Sequence, residues 1–217
     1  LVGPNGAGKT TTLSMATGLL RPDAGTAEIS GVDVWRDPVR AKAMVGVLSD
    51  GVRLFDRLTG AQLITYTGMM FGLARADLAQ RTADLLQLMD LTASAGVPVV
   101  DYSAGMTKKI GLACALVHAP RLLVLDEPFE SVDPVSAANI EDVLRGYAAS
   151  GGTVIVSSHS MDLVQRMCDH VAIIAAGRVI TAGTVDEVRG DATLQDRFLQ
   201  LVGGRHLTEG PAWLRQS

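Results

Sequence analysis

Short apolar runs bounded by glycine, proline or acidic residues recur along the chain and predict buried strands. The strongest of these runs lack polar alternation, which is typical of parallel strands covered by helices on both faces. The predicted strands are residues 26–30, 44–48, 122–125, 153–157, 171–175 and 178–181. The last two runs are separated only by Ala176-Gly177, which predicts a hairpin.

Between these runs, apolar residues recur at helical spacing, and capping residues mark where helices begin. Thr59 and Gln62 have the spacing of a capping box, although Gly68 and Gly72 weaken the helix predicted after them. Asp133-Pro134 predicts the start of a helix that Gly151 ends. The other predicted helices are residues 10–20, 77–90, 107–118 and a short amphipathic stretch at 194–202.

The order of these elements indicates an α/β fold with a mostly parallel sheet. Residues 58–96 interrupt that order, because they contain helical patterns with no strand between them. We therefore expect an α/β core of residues 1–49 and 119–190, an inserted helical subdomain of residues 50–118, and a C-terminal tail of residues 191–217.

A phosphate-binding pattern stands at the start of the chain. Its form is G-x-x-x-x-G-K-T, the P-loop, and the helix predicted next would add amides at its N-terminus. Lys9 would reach the β- and γ-phosphates of a nucleotide, and the Thr10 hydroxyl would ligate Mg²⁺. The motif predicts a P-loop NTPase core, against the alternative of a glycine-rich turn before a helix. The predicted ATP-binding residues are Gly3, Pro4, Asn5, Gly6, Ala7, Gly8, Lys9, Thr10 and Thr11.

Composition narrows the class of protein. The net charge of −4, from 19 Lys and Arg against 23 Asp and Glu, argues against a nucleic-acid-binding surface. Hydrophobic residues make up 47 % of the chain, yet no apolar run approaches the ~18–20 residues of a membrane helix. Cys114 and Cys168 have neither the number nor the spacing of a disulfide framework or metal site, so a reducing cytoplasm is expected.

An acidic pair directly follows the apolar run 122–125. In a chain with a P-loop, Asp126 is the expected companion ligand of Mg²⁺. Glu127, one residue later, is a candidate general base that takes a proton from an attacking water. The alternative is a solvated carboxylate pair at the end of a strand.

Upstream of the acidic pair, Tyr102-Ser103-Ala104-Gly105-Met106 precedes a predicted helix. With the P-loop and the acidic strand in this order, the chain resembles the nucleotide-binding subunit of ABC transporters. That family carries a signature of the form L-S-G-G-Q about twenty residues before the acidic strand. Ser103 and Gly105 match it, and Tyr102, Ala104 and Met106 depart from it. The resemblance implies that Ser103 contacts the γ-phosphate of an ATP held by a second subunit.

Three further positions match family motifs in order. Asp133 occupies the D-loop position, and His159 matches the switch histidine that contacts the γ-phosphate, although a lone histidine after a strand is more often structural. Asp50 stands where the family's Q-loop carries Gln or Glu. Its carboxylate would reach Mg²⁺ or the metal's water shell, or it is simply a turn residue.

The resemblance covers residues 1 to about 190 and implies a head-to-tail pair of subunits that binds two ATP molecules. It further implies ATP hydrolysis that drives transport through separate membrane permease subunits, at the cytoplasmic face of the membrane. The motifs are closest to those of exporters. Leu54 and Phe55, with nearby Arg53 and Arg57, are expected either to touch a permease helix or to pack into the helical subdomain.

Three alternatives remain at this point. An ABC-type ATPase acting on nucleic acid or ribosomes would carry long heptad coiled coils or a second cassette, and a regulatory module without turnover would tend to lack Glu127. A P-loop kinase would need a second substrate site. Because only Leu1 and Val2 precede the P-loop, we also expect the natural N-terminus, with the family's adenine-stacking aromatic residue, to be missing here. We expect weak ATP binding by these residues alone.

Overall fold

The structure is a computed structural model that describes residues 1–51 and 54–203. Arg53, and the end of the predicted tail from residue 204, lie outside the described residues. The strands are β1 Glu28–Ile29, β2 Val32–Asp33, β3 Val45–Leu48, β4 Leu122–Asp126, β5 Thr153–Ser157, β6 His170–Ala175 and β7 Arg178–Thr184. The helices are α1 Lys9–Ala16, α2 Pro38–Ala43, α3 Gly60–Met70, α4 Arg75–Leu88, α5 Ala104–Leu116, α6 Pro134–Ala149, α7 Met161–Met167, α8 Val185–Arg189 and α9 Leu194–Val202.

The chain divides into two compact units. One unit contains Lys9–Ser158 and is built on a parallel sheet in the order β3-β4-β5. The registers pair Leu48 with Leu125 and Asp126 with Ser157. The prediction of an α/β fold with parallel strands is therefore confirmed.

Helices α3, α4 and α5 form the helical part of this unit. Helix α3 begins with the capping box of Thr59 and Gln62, as predicted from the sequence. A Cβ at Gly68 would collide with the Leu78 side chain of α4, so this glycine allows α3 and α4 to pack closely. Gly72 has a φ of +76° just past the end of α3, where glycine is the favoured residue. Both glycines serve the helix that they weaken on propensity alone.

Among the described residues, the other unit contains Leu1–Gly8 and residues 159–203. Val2 forms a parallel bridge with Ile173 of β6, and β6 pairs with β7 in the predicted antiparallel hairpin. Ala176 and Gly177 both have positive φ at its tip, as a type I′ turn requires. The core of the unit consists of Val2, Met161, Val164, Val171, Ile173, Val185, Val188 and Leu194.

Several predicted bounds were wrong for local reasons. Helix α1 ends at Ala16 instead of residue 20, because Gly18 turns the chain into the left-handed region with φ +74°. Helix α5 begins at Ala104, before the predicted start at residue 107, because Ser103 is its N-cap. The short elements β2, α2, α7 and α8 were not predicted, since each has seven residues or fewer and little periodicity.

Gly46 provides a test of how tightly α5 packs on the sheet. A Cβ at this position would collide with the Ala115 carbonyl oxygen and lie 2.8 Å from Leu123 Cδ2. Because the backbone of α5 cannot yield easily, we expect Gly46→Ala to lower the free energy of unfolding by about 1–3 kcal/mol. Gly146→Ala on the exposed face of α6, where a Cβ meets nothing within 4 Å, should raise it by about 0.5–1 kcal/mol. Urea unfolding measures both, and equal effects would contradict the packing argument.

Candidate functional site

The backbone of the P-loop turns at its glycines. Gly6 and Gly8 have φ of +78° and +100°, which side-chain-bearing residues rarely adopt. A Cβ at Gly3 would collide with the Ile174 carbonyl oxygen, so the loop starts pressed against the end of β6. The Ala7 N–H donates to the Pro4 carbonyl at 3.1 Å, and the Ala7 carbonyl accepts from Gly177 N–H at 3.0 Å. These constraints give a physical reason for the predicted glycine pattern.

Lys9 and Glu127 lie side by side. Lys9 is the first residue of α1, and its Nζ lies 3.4 Å from Glu127 Oε1. The two side chains are only 8 % and 12 % exposed, so the ion pair is largely shielded from water. The structure thus brings together the predicted phosphate-binding lysine and the predicted base.

Ser157 organises the acidic pair at the end of β4. Its hydroxyl donates to Asp126 Oδ1 and accepts from the Glu127 N–H at 3.0 Å. Glu127 has φ +45°, a left-handed conformation that is uncommon outside glycine, asparagine and aspartate. Asp126 and Glu127 therefore leave the strand in different directions, in keeping with two different predicted roles. The sequence analysis did not identify Ser157. Its position opposite Asp126 is set by the register of the neighbouring parallel strands β4 and β5.

The chemistry of this corner suits a magnesium ion. Asp126 Oδ2 is buried and has no hydrogen-bond partner within the described part of the chain. Thr10 lies exposed in the first turn of α1, in the same unit. No cluster of three or more His, Cys, Asp or Glu residues that could cage a metal occurs among residues 1–51 and 54–203. Mg²⁺ commonly binds through one or two carboxylates together with substrate phosphates, so this donor set fits the ion without such a cluster.

The predicted signature and the predicted D-loop aspartate lie next to each other. Ser103 Oγ caps α5 by accepting from Met106 N–H at 3.3 Å, and Asp133 caps α6 by accepting from the N–H groups of Val135 and Ser136. A Cβ at Gly105 would lie 2.9 Å from Asp133 Oδ2. The glycine of the signature is therefore required for the starts of α5 and α6 to approach.

The first residue of the signature, Tyr102, and its neighbour Asp133 each have defined hydrogen-bond partners. The Tyr102 hydroxyl donates to the Ser94 carbonyl at 2.7 Å, which anchors its buried ring. The Ser136 N–H, followed by its hydroxyl, holds the pKa of the Asp133 carboxyl below its usual value, so this carboxylate is charged at neutral pH.

The remaining predicted residues have different environments. His159 is exposed and lies between the end of β5 and Ser160, the N-cap of α7. Asp50 follows β3, and its Oδ1 lies 3.2 Å from Lys108 Nζ. Lys108 Nζ also donates to the Glu127 carbonyl at 3.0 Å. The sequence did not single out Lys108, because a lysine in the second turn of a helix carries no recognisable signal.

The sequence pattern of the ABC transporter family matches residues 1–130. The chain belongs to the ABC transporter family.

Two relatives illustrate the range of this similarity. The linearmycin resistance ATP-binding protein LnrL of Bacillus subtilis is 35 % identical over 199 residues, which cover 90 % of this chain and 64 % of that protein. The Nod factor export ATP-binding protein I of Ralstonia nicotianae is 37 % identical over 188 residues, covering 87 % of this chain and 59 % of that protein. The chain thus spans about three-fifths of the length of these ABC relatives.

A solved structure confirms the ABC ATPase fold. It is described as the ATP-binding subunit of an ABC transporter, and it superposes with a TM-score of 0.85 at 28 % identity. The match covers 92 % of this chain and 86 % of that one. Within the described residues, no helix is both long and apolar enough to cross a membrane.

A groove opens beside Asp50 in this ABC chain. Its volume is about 520 Å³, and its walls come from β3, the loop after β3, α3 and α5. Phe71 and His118 form a stacked pair on one wall, with ring centroids 3.7 Å apart, and Leu54 also lines the groove. Phe55, next in the chain, is 62 % exposed and makes an edge-to-face contact with Tyr66. Phe55 therefore does not pack fully into the helical part.

The environment of His118 makes stability depend on pH. Burial lowers the pKa of His118, opposed by the bond to the Val45 carbonyl and reinforced by the charge of Arg81. In the unfolded chain the pKa of His118 is about 6.5, so below that pH the unfolded state binds a proton more readily than the folded state does. We therefore expect the free energy of unfolding to have its full value above that pH and to decrease as the pH falls below it.

The matched variant is His118→Gln, which keeps a donor for the Val45 carbonyl and cannot take up a proton. Urea midpoints between about pH 7.5 and pH 5.5 should fall less steeply in this variant than in the parent protein. Parallel curves for the two proteins would show that His118 does not carry the effect.

Proposed function

We propose that this chain binds and hydrolyses ATP to drive transport across a membrane, as the nucleotide-binding subunit of an ABC exporter. The observation that carries the proposal is the 3.4 Å separation of Lys9 Nζ and Glu127 Oε1. A lysine in a P-loop marks where the terminal phosphates bind. A carboxylate beside it is within reach of the water that attacks the γ-phosphate.

The proposed reaction uses the residues in separate roles. The P-loop amides and Lys9 bind and orient the phosphates, and Glu127 accepts the proton of the attacking water. Thr10 and Asp126 would hold Mg²⁺, with Asp50 as a further candidate, and the ion would neutralise charge on the phosphate oxygens. His159 is assigned the contact with the γ-phosphate. The buried Asp126 Oδ2 supports the metal assignment.

Two copies would act together, each covering the other's ATP. The N-terminus of α5 carries orphan amides and a partial positive charge, which suits an anion. Ser103 stands exposed at that end. Ala104 is exposed and Met106 is half-buried on this surface, whereas Tyr102 and Gly105 are buried, with Asp133 against Gly105. A head-to-tail homodimer would place this surface over the γ-phosphate bound by the partner.

Separate permease subunits are the proposed membrane partners, reached from the cytoplasmic face. The relatives named for linearmycin resistance and Nod factor export support export as the direction. The groove beside Asp50, together with exposed Phe55 close by in the chain, is the proposed apolar docking surface for a permease helix. The net charge of −4 favours a membrane protein over nucleic acid as the partner.

Replacing Glu127 tests the assigned base. Glu127→Gln in the full-length protein should lower kcat for ATP hydrolysis by about 10²–10⁴-fold, because the amide cannot accept the proton. ATP binding should persist, since Lys9 and the P-loop are unchanged. A phosphate-release assay measures the rate, with Glu141→Gln on α6 as a control for the substitution itself. Hydrolysis within twofold of the parent would remove Glu127 as the base.

Replacing Phe55 tests the docking surface. Phe55→Asp should weaken association with the permease by roughly tenfold or more, because it places a charge in an apolar contact. Val179→Asp is the matched control, since Val179 is 60 % exposed on β7. Co-purification with the permease, and transport in proteoliposomes, measure the effect. Equal association of the two variants would place the permease elsewhere.

A further inference from the structure

One ammonium group joins three parts of the site. Lys108 on α5 reaches Asp50 Oδ1 at 3.2 Å and the Glu127 carbonyl oxygen at 3.0 Å. Its side chain is 18 % exposed, whereas that of Asp50 is 47 % exposed. Both residues line the groove described above. Lys108 thus connects a surface that a partner can reach with the backbone of the proposed base.

The sheet explains why this connection is possible. Strands β3 and β4 are parallel neighbours, with Leu48 opposite Leu125. The chain leaves both strands at the same edge of the sheet, so Asp50 and Glu127 emerge close to each other. Helix α5 packs over β3 closely enough that a Cβ at Gly111 would lie 2.7 Å from Leu48 Cδ1. Lys108, one turn earlier on α5, therefore reaches both strand ends.

The conformation of Glu127 gives the contact its importance. With φ +45°, its backbone lies in a sparsely populated region and must be held by its surroundings. Ser157 Oγ accepts a hydrogen bond from the Glu127 N–H, and the Glu127 carbonyl oxygen accepts from Lys108 Nζ and from the Glu130 N–H. Lys108 is also paired with a groove residue, Asp50. A displacement of Asp50 would therefore move the Lys108 ammonium and change its hydrogen bond to the Glu127 carbonyl oxygen.

We propose that Lys108 is a positioning residue that transmits occupancy of the groove to Glu127. A permease segment that moves Asp50 shifts the Lys108 ammonium, which reorients the Glu127 peptide and with it the carboxylate. Lys108 touches neither nucleotide nor attacking water in this proposal. The inference depends on the proposed function, because it assigns to Lys108 the control of that same site.

Lys108→Met tests the proposal in the full-length protein, because it removes the charge and keeps the length. We expect kcat for ATP hydrolysis to fall by about tenfold to a hundredfold, as small displacements of a catalytic group do, with KM for ATP changed less than twofold. Lys108→Arg should recover at least part of the loss, since a guanidinium can donate to both oxygens. Arg145→Met, which breaks a surface ion pair with Glu141 on α6, is the charge-matched control.

The ratio of ATPase rates with and without the permease is the second measurement, because a merely structural lysine would not change it. In Lys108→Met this ratio should approach one while co-purification with the permease is retained. An unchanged kcat, an unchanged ratio, or a rise in KM equal to the fall in kcat would overturn the role of Lys108. Thermal midpoints verify folding. Glu127→Gln, assayed in parallel, separates the cases: if it keeps the parent's rate, only the assignment of Glu127 as the base fails, whereas a parent protein that does not hydrolyse ATP overturns the proposed function itself.

Discussion

The parallel register of three strands is the constraint on which the candidate site depends. Leu123, Val124 and Leu125 of β4 are all buried, so both faces of this strand are covered and each side chain has a packed position. Side chains alternate along a strand, so a shift of one residue would exchange the two faces and move Asp126 away from Ser157. The apolar burial that stabilises the sheet therefore also positions the acidic pair. Chemistry at the strand ends follows from packing in the strand interiors.

The arrangement around Glu127 is not one that stability alone would favour. A left-handed backbone at a residue other than glycine costs on the order of 1–3 kcal/mol. A largely buried ion pair such as Lys9–Glu127 gains little net stability, because the loss of hydration offsets most of the attraction. Three elements nevertheless converge on this residue, through Lys9 on α1, Lys108 on α5 and Ser157 on β5. A functional requirement accounts for this convergence better than folding does.

Features encoded by local sequence were predictable. The P-loop glycines, the Thr59 capping box and the hairpin at Ala176-Gly177 each depend on a few adjacent residues, and the structure has all three. The parallel strands followed from their uninterrupted apolar runs. Positions that depend on tertiary packing were not predictable. Gly68 read as a weakness of α3 because its neighbour Leu78 lies on another helix.

The candidate site shows the same division. Lys9 and Asp126 could be found from motifs, because each is fixed by the element that carries it. The left-handed turn at Glu127 and the bridge made by Lys108 depend on which strands are neighbours and on how α5 lies across them. No local pattern marks either feature. Asp50 was predicted beside the metal, and its pairing with Lys108 came only from the structure.

Helix α5 ties these features into one mechanical element. Ser103 and Gly105 stand at its start, Lys108 one turn later, and Gly111 against β3. Rigid secondary-structure elements such as this helix can carry coupling between the sites that they contact. Any shift of α5 relative to β3 and β4 would therefore act at once on the surface proposed to meet a second copy, on the groove and on the Glu127 carbonyl. Neighbouring atoms lie so close to Gly105 and Gly111 that even a Cβ would collide with them. Helix α5 can therefore shift in few directions.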